Sequence, residues 1–191
     1  MYKVLPPGGV FDAAGTEYVG WPISILPFVD SNPFYNQINF SVPWDQQQNP
    51  AVFRWHLNGF FTIPGCKPVA DESGFGLCHY AGNKNLLFPN SSVSFLNLTD
   101  GTGQTLLADE IFADFIPYAK PGNWRDPANG LQIMSQSFGR PTNDGALMLM
   151  GDGRVVWLSK EIDPTVFRDL GTPDGGEQIP KNAIPDASQE Q

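Results

Sequence analysis

Ala146-Leu-Met-Leu-Met-Gly-Asp-Gly-Arg-Val-Val-Trp-Leu158, followed by Asp163-Pro-Thr-Val-Phe-Arg-Asp-Leu-Gly171, reads as a β-hairpin and then a helix. Asp152-Gly153 can fill both φ > 0 positions of a type I′ turn, the strongest short-range hairpin signal. With that pair central, Gly151 faces Arg154, Met150 faces Val155, Leu149 faces Val156 and Met148 faces Trp157. Asp163 then offers an N-cap, Pro164 the first helical position and Gly171 a stop just beyond the last turn. The stretch assigns Asp152 and Gly153 to a turn rather than to chemistry.

Working upstream, Phe60–Ile63, Leu77–Tyr80, Ser92–Leu96 and Gln104–Ala108 carry strand patterning, and Asp100–Gly103 is a turn. The loop-rich stretch 113–130 holds a strand-like Phe115-Ile116. Earlier in the chain, Asn32 caps a short helix over Pro33–Ile38. Asn49-Pro50 starts another over Ala51–Leu57, with Val52, Trp55 and Gly59 on one face. Trp21–Pro27 is a strand or a buried turn, and residues 1–20 are extended. Short early helices with later antiparallel strands predict an α+β fold. One domain over 1–177 is expected, with a mobile tail over 178–191 where apolar periodicity fades.

A chain of 191 residues can build one ordinary core, while 18 Pro and 20 Gly keep its regular elements short. Twenty acidic and 11 basic residues leave a formal charge of −9. That balance excludes nucleic acid as the expected partner, because phosphates need a basic face, and it disfavours anionic lipid. No apolar run approaches the roughly 20 residues of a membrane span, and no signal peptide is evident. Met1–Gly9 reads as a sequence entered midway.

Cys66 and Cys78 flank eleven residues, and a disulfide is the favoured reading of the pair, ahead of free thiols and of a metal site. Such a bridge stabilises by roughly 2–3 kcal/mol on the chain-entropy model. His56 and His79 have no Ser or Cys tied to them by motif, so no nucleophilic centre is expected. Carboxylates gather at Asp100, Asp109, Glu110 and Asp114. Asp109 and Glu110 are adjacent in a strand or at its end and so point to opposite faces, a poor arrangement for a glycosidase pair. Calcium is the one candidate cofactor, with Asp100, Asp109 and Glu110 as ligands, although no Asp-x-Asp-x-Asp-Gly loop is present. Gly101-Thr-Gly103 is not followed by the Lys-Ser/Thr of a phosphate loop. Among the five Trp, Trp44 and Trp124 sit in polar loops beside Asp and Pro and are candidates for stacking on a carbohydrate, with Asp100 and Glu110 as polar contacts. Asn39, Asn90 and Asn97 open Asn-x-Ser/Thr sequons.

A series of short motifs runs in order along the chain: Leu5-Pro-Pro-Gly8, Trp21 with Ile25-Leu-Pro-Phe28, Phe34-Tyr-Asn-Gln-Ile38, Pro43-Trp-Asp45, Thr99-Asp-Gly-Thr-Gly-Gln-Thr105 through Glu110, Asp152-Gly153, Ser159-Lys-Glu-Ile-Asp163 and Gly175-Gly-Glu177. In order and spacing these resemble a large planctomycete family of pilin-like secreted proteins that ends in a His-x9-Asp-Gly motif and has no settled biochemical function. Some of its members are also named solute-binding. The resemblance implies a pilin-like head domain with an antiparallel sheet, which a hydrophobic N-terminal helix, absent from this sequence, would fasten to a membrane or filament. It implies other pilin-like subunits as partners, an extracellular or periplasmic place at the cell surface, and no catalysis. The function expected is assembly or display in a pilus or secretion pseudopilus; the alternative is a carbohydrate- or solute-binding module. The family's histidine position holds Thr142 here, so any role of that histidine is not carried over.

Overall fold

A computed structural model of the chain describes residues 3–46, 51–54, 60–132, 135–140 and 144–184. The fold is α+β. In chain order come β1 (Gly9–Phe11), β2 (Glu17–Gly20), α1 (Trp21–Ile25), α2 (Asn32–Tyr35), α3 (Ala51–Arg54), β3 (Leu77–Cys78), β4 (Tyr80–Asn83), β5 (Leu106–Glu110), β6 (Ile116–Pro117), β7 (Trp124–Arg125), β8 (Gly145–Met150), β9 (Val155–Ser159) and α4 (Pro164–Leu170). Strands β7-β4-β5-β8-β9 form a five-stranded sheet, antiparallel except for the parallel β4–β7 pair. β1–β2 and β3–β6 are separate two-stranded pairs.

The hairpin forms, but its register is one residue from the expected one. Leu149 pairs with Val155, Met148 with Val156, Leu147 with Trp157 and Ala146 with Leu158. The loop is therefore Gly151-Asp152-Gly153, closed by the Met150 N–H to the Arg154 carbonyl at 2.9 Å and the Gly153 N–H to the Met150 carbonyl at 3.0 Å. Gly153 alone takes the left-handed region, at φ 87, and Asp152 does not. This is a three-residue connection ending in a left-handed glycine rather than a type I′ turn. Burial explains the choice. The observed register sets buried Met148 against buried Val156, and outward Leu149 against outward Val155. A slip by one would pair inward residues with outward ones.

Helix α4 forms where expected. The Asp163 carboxylate accepts from the Thr165 and Val166 N–H groups at 2.7 and 3.4 Å. Asp163→Ala should cost about 1 kcal/mol, the usual value of such a cap; a urea melt unchanged by the substitution would reject the cap's contribution. Gly171 closes the helix with φ −83, not in the left-handed region. Its lack of a side chain is needed elsewhere: a Cβ there would lie 2.2 Å from Cβ of Pro127.

The core lies in three patches. One sits between the inner sheet face (Ala81, Leu106, Met148, Val156) and α4 (Phe167, Leu170). A second gathers Ile23, Phe53, Phe61, Cys78 and Tyr118. The third joins Leu5 to Trp21, Leu86, Leu87 and Leu98. Asn83, fully buried, ties the elements together: its amide donates to the Leu106 carbonyl at 2.8 Å and the Gly171 carbonyl at 2.7 Å.

Several local readings are corrected. Trp21–Ile25, read as a strand or a buried turn, is a short helix with Trp21, Pro22 and Ile23 buried; Pro22 sits in its first turn, where its missing N–H costs nothing. Phe60–Ile63 and Ser92–Leu96 are not strands. Phe61 instead hands its carbonyl to the His79 N–H, and Phe95–Asn97 is a 3₁₀ turn capped by Ser94. The segment expected as a tail from 178 sets Ile179 and Ile184 against the first core patch. Trp55, His56 and Thr142 lie outside the described residues.

Candidate functional site

Strand β8 is apolar at nearly every position, and so is β9. Alternation sends Ala146, Met148 and Met150 inward, and leaves Leu147, Leu149 and Val155 on the outer face. Val155 is 62 % exposed. An antiparallel sheet normally turns polar residues outward, so this face is unusual. A cleft of about 330 Å³ opens on it. Trp21, Phe60, Phe61, Tyr80, Leu149 and Val155 are among the residues that line it. The Trp21 ring is fixed by donation from Nε1 to the Asn123 carbonyl at 2.8 Å, and Phe61 is stacked on Tyr118 at 5.2 Å.

Glu110 also lines the cleft, although only 2 % of its surface is exposed. It pairs with Tyr80 across β4–β5. Its carboxylate accepts from the Leu147 N–H at 3.3 Å and meets Arg140 at 3.5 Å. Both contacts lie beyond the usual 2.7–3.2 Å, so among the described residues this buried carboxylate has acceptor capacity to spare. Burial, and then the Glu110 charge, push the Tyr80 phenol up from its ordinary value.

Asp109 and Glu110 do point to opposite faces. Asp109 pairs with Ala81 and Met148, both of which belong to the inner core patch. Neither of its carboxylate oxygens has a hydrogen-bond partner among the described residues. Burial first, and the neighbouring Glu110 second, raise its pKa well above the usual carboxylate range. Asp100 is used otherwise: its two oxygens accept from the Gly175 and Gly176 N–H groups, each at 2.9 Å, and so clamp the chain after α4. The three carboxylates expected to share a calcium ion are thus not brought together. Among the described residues no group of three or more His, Cys, Asp or Glu side chains could hold a metal ion.

The disulfide expectation is also corrected: Cys66 and Cys78 are free thiols. Cys78 faces the second core patch and donates to the Tyr80 carbonyl at 3.2 Å, and burial pushes its pKa up to about 12. His79 is structural. Its Nδ1 accepts from the Ile63 N–H at 3.1 Å, so Nε2 carries the proton and donates to the Pro68 carbonyl at 2.8 Å. Burial lowers its pKa and favours this neutral form.

Trp44 is not a free platform. It packs edge-on to Phe75 at 5.1 Å and donates to Glu17 at 3.2 Å. Trp124 is half-buried in β7. The sequon residues Asn90 and Asn97 have their amides engaged, Asn90 with the Phe11 backbone and Asn97 with the Ser94 N–H. The residues missed at the sequence level are the cleft walls, although the unbroken apolar runs of β8 and β9 signalled a sheet apolar on both faces.

Residues 1–67 match the model of a family described as a protein of unknown function, DUF1559. That model carries a solute-binding-style name, SBP_bac_10. No curated protein and no solved structure matches the chain. The DUF1559 match spans Trp21, Ile25, Phe60 and Phe61 of the cleft wall, whereas the floor strands β5, β8 and β9 lie beyond it.

Proposed function

We propose that the chain is a non-catalytic head domain of a pilin-like assembly, displayed at the cell surface in the extracellular or periplasmic space. The observation that carries this reading is an apolar collar around Val4. Val4 bridges to Ser94, next to exposed Phe95 and to Leu96, which is 88 % exposed. A groove of about 350 Å³ is also lined by Val4, together with Leu5, Pro6, Pro7, Ile25 and Phe28. A domain seated at that end on a hydrophobic helix or on neighbouring subunits covers the collar, and the resemblance to pilin-like proteins implies such a seat. Among the described residues no helix is long and apolar enough to cross a membrane. Val4→Ser with Leu96→Ser, both at exposed positions, should leave the melting temperature nearly unchanged. In the cells that make the protein, the same pair should lower the amount recovered in the sheared surface fraction by about tenfold, the size of effect that follows from losing roughly 1.4 kcal/mol of contact. Equal recovery would reject the assembly reading.

A second reading is favoured by a different observation, the outer-face cleft with its buried Glu110. It makes the domain a binder of a small solute, compatible with any mode of anchoring. The described geometry of Trp44 and Asp100 gives a carbohydrate site at those residues little support.

A further inference from the structure

We infer that the cleft takes a small organic cation, an ammonium group on an apolar alkyl or aryl body. This rests on the solute-binding reading of the same cleft and adds the ligand's chemistry. The walls are almost wholly apolar, so they suit an apolar body. Four aromatic residues, Trp21, Phe60, Phe61 and Tyr80, are among those that line it, and aromatic rings attract cations through their quadrupoles. Glu110 supplies the matching charge. Its contacts among the described residues, 3.3 Å to the Leu147 N–H and 3.5 Å to Arg140, are both longer than a usual charge-assisted bond. An ammonium N–H donating to Glu110 completes that shell, while the ligand's body covers Leu149 and Val155. Asp109, the other carboxyl in this stretch of β5, is also among the cleft-lining residues, but by register it pairs with Ala81 and Met148 of the inner core patch, on the face opposite Glu110. Arg140, the ion-pair partner of Glu110, is not among the cleft-lining residues, so the charge facing the cleft is that of Glu110, which disfavours an anion. A neutral alcohol of the same shape fills the cleft but brings no charge to meet the carboxylate.

The test uses the full 191-residue chain with hexylammonium, hexanol and hexanoate as probes, followed by calorimetry and by intrinsic tryptophan fluorescence. Hexylammonium should bind at least about tenfold more tightly than hexanol, and hexanoate should not bind, in line with the strength of charge-assisted contacts. Glu110→Gln, checked for folding by circular dichroism, should equalise the amine and the alcohol. Leu149→Trp, at an exposed position, should block both and covers the case in which Glu110→Gln fails to fold. Equal binding of amine and alcohol by the unmodified chain would overturn the cation inference and leave the solute reading standing. Absence of binding by all three probes at millimolar concentration would overturn both. An amine preference that survives in folded Glu110→Gln would overturn the role given to the carboxylate.

Discussion

Gly171→Ala is expected to destabilise the domain by about 2–3 kcal/mol, the cost of forcing atoms into a filled site. The backbone at Gly171 has φ −83, where alanine is comfortable. A capping argument alone therefore predicts a neutral or slightly stabilising change. Packing predicts the opposite. An added methyl would lie 2.2 Å from Cβ and 2.3 Å from Cγ of Pro127, in the 3₁₀ turn Pro127–Asn129 against which α4 sits. The Gly171 carbonyl also accepts from the buried Asn83 amide and from Asn85, so the helix end cannot simply move away. Urea denaturation of Gly171→Ala, Pro127→Gly and the double variant reads this directly. The double variant should be more stable than the sum of the single effects, since removing Pro127 makes room for the methyl. Strict additivity would show that the two residues do not collide.

Asp109→Asn is expected to remove a large pH dependence of stability. In the unfolded chain Asp109 ionises near the ordinary 3.8, whereas in the fold burial holds the proton to a much higher pH. The folded state therefore binds more protons across that interval. Its stability contribution is complete below the unfolded value and declines as pH rises through the interval, by up to about 1.4 kcal/mol per pH unit, until the folded carboxyl itself ionises. Asparagine keeps the shape and has no proton to lose. The two proteins should be similar in stability near pH 4, and the variant should pull ahead at pH 7 and above. Taking the difference between them cancels the titration of groups that do not interact with Asp109. Curves that stay parallel from pH 4 to 8 would show that Asp109 ionises as an exposed carboxylate does.

Helix α4 and the β8–β9 hairpin were legible because their signals are local. Asp163-Pro164 makes a helix start out of adjacent residues, and the Gly-Asp-Gly loop forces a reversal whatever surrounds it. The turn type was less legible, because Asp152-Gly153 suits both a two-residue and a three-residue loop. Burial on the two faces chose between them. Trp21–Ile25 shows the same limit: a short apolar run has no period that separates strand from buried helix. Cys66 and Cys78 were close enough in sequence to suggest a bridge, but Cys78 is turned into the second core patch. Asp100 looked like a ligand until the Gly175-Gly176 backbone, far along the chain, arrived to occupy it.

By itself the sequence determined the α+β class, the capped final helix and the hairpin's place, since each depends on neighbouring residues or on composition. Only the tertiary structure decided the hairpin register, the burial of Asp109 and Glu110 on opposite faces, and the aromatic cleft over the outer sheet. Those features bring together residues as distant as Trp21, Glu110 and Val155. Contacts at such separation are set by how sheet, helices and loops pack, and no local pattern encodes them.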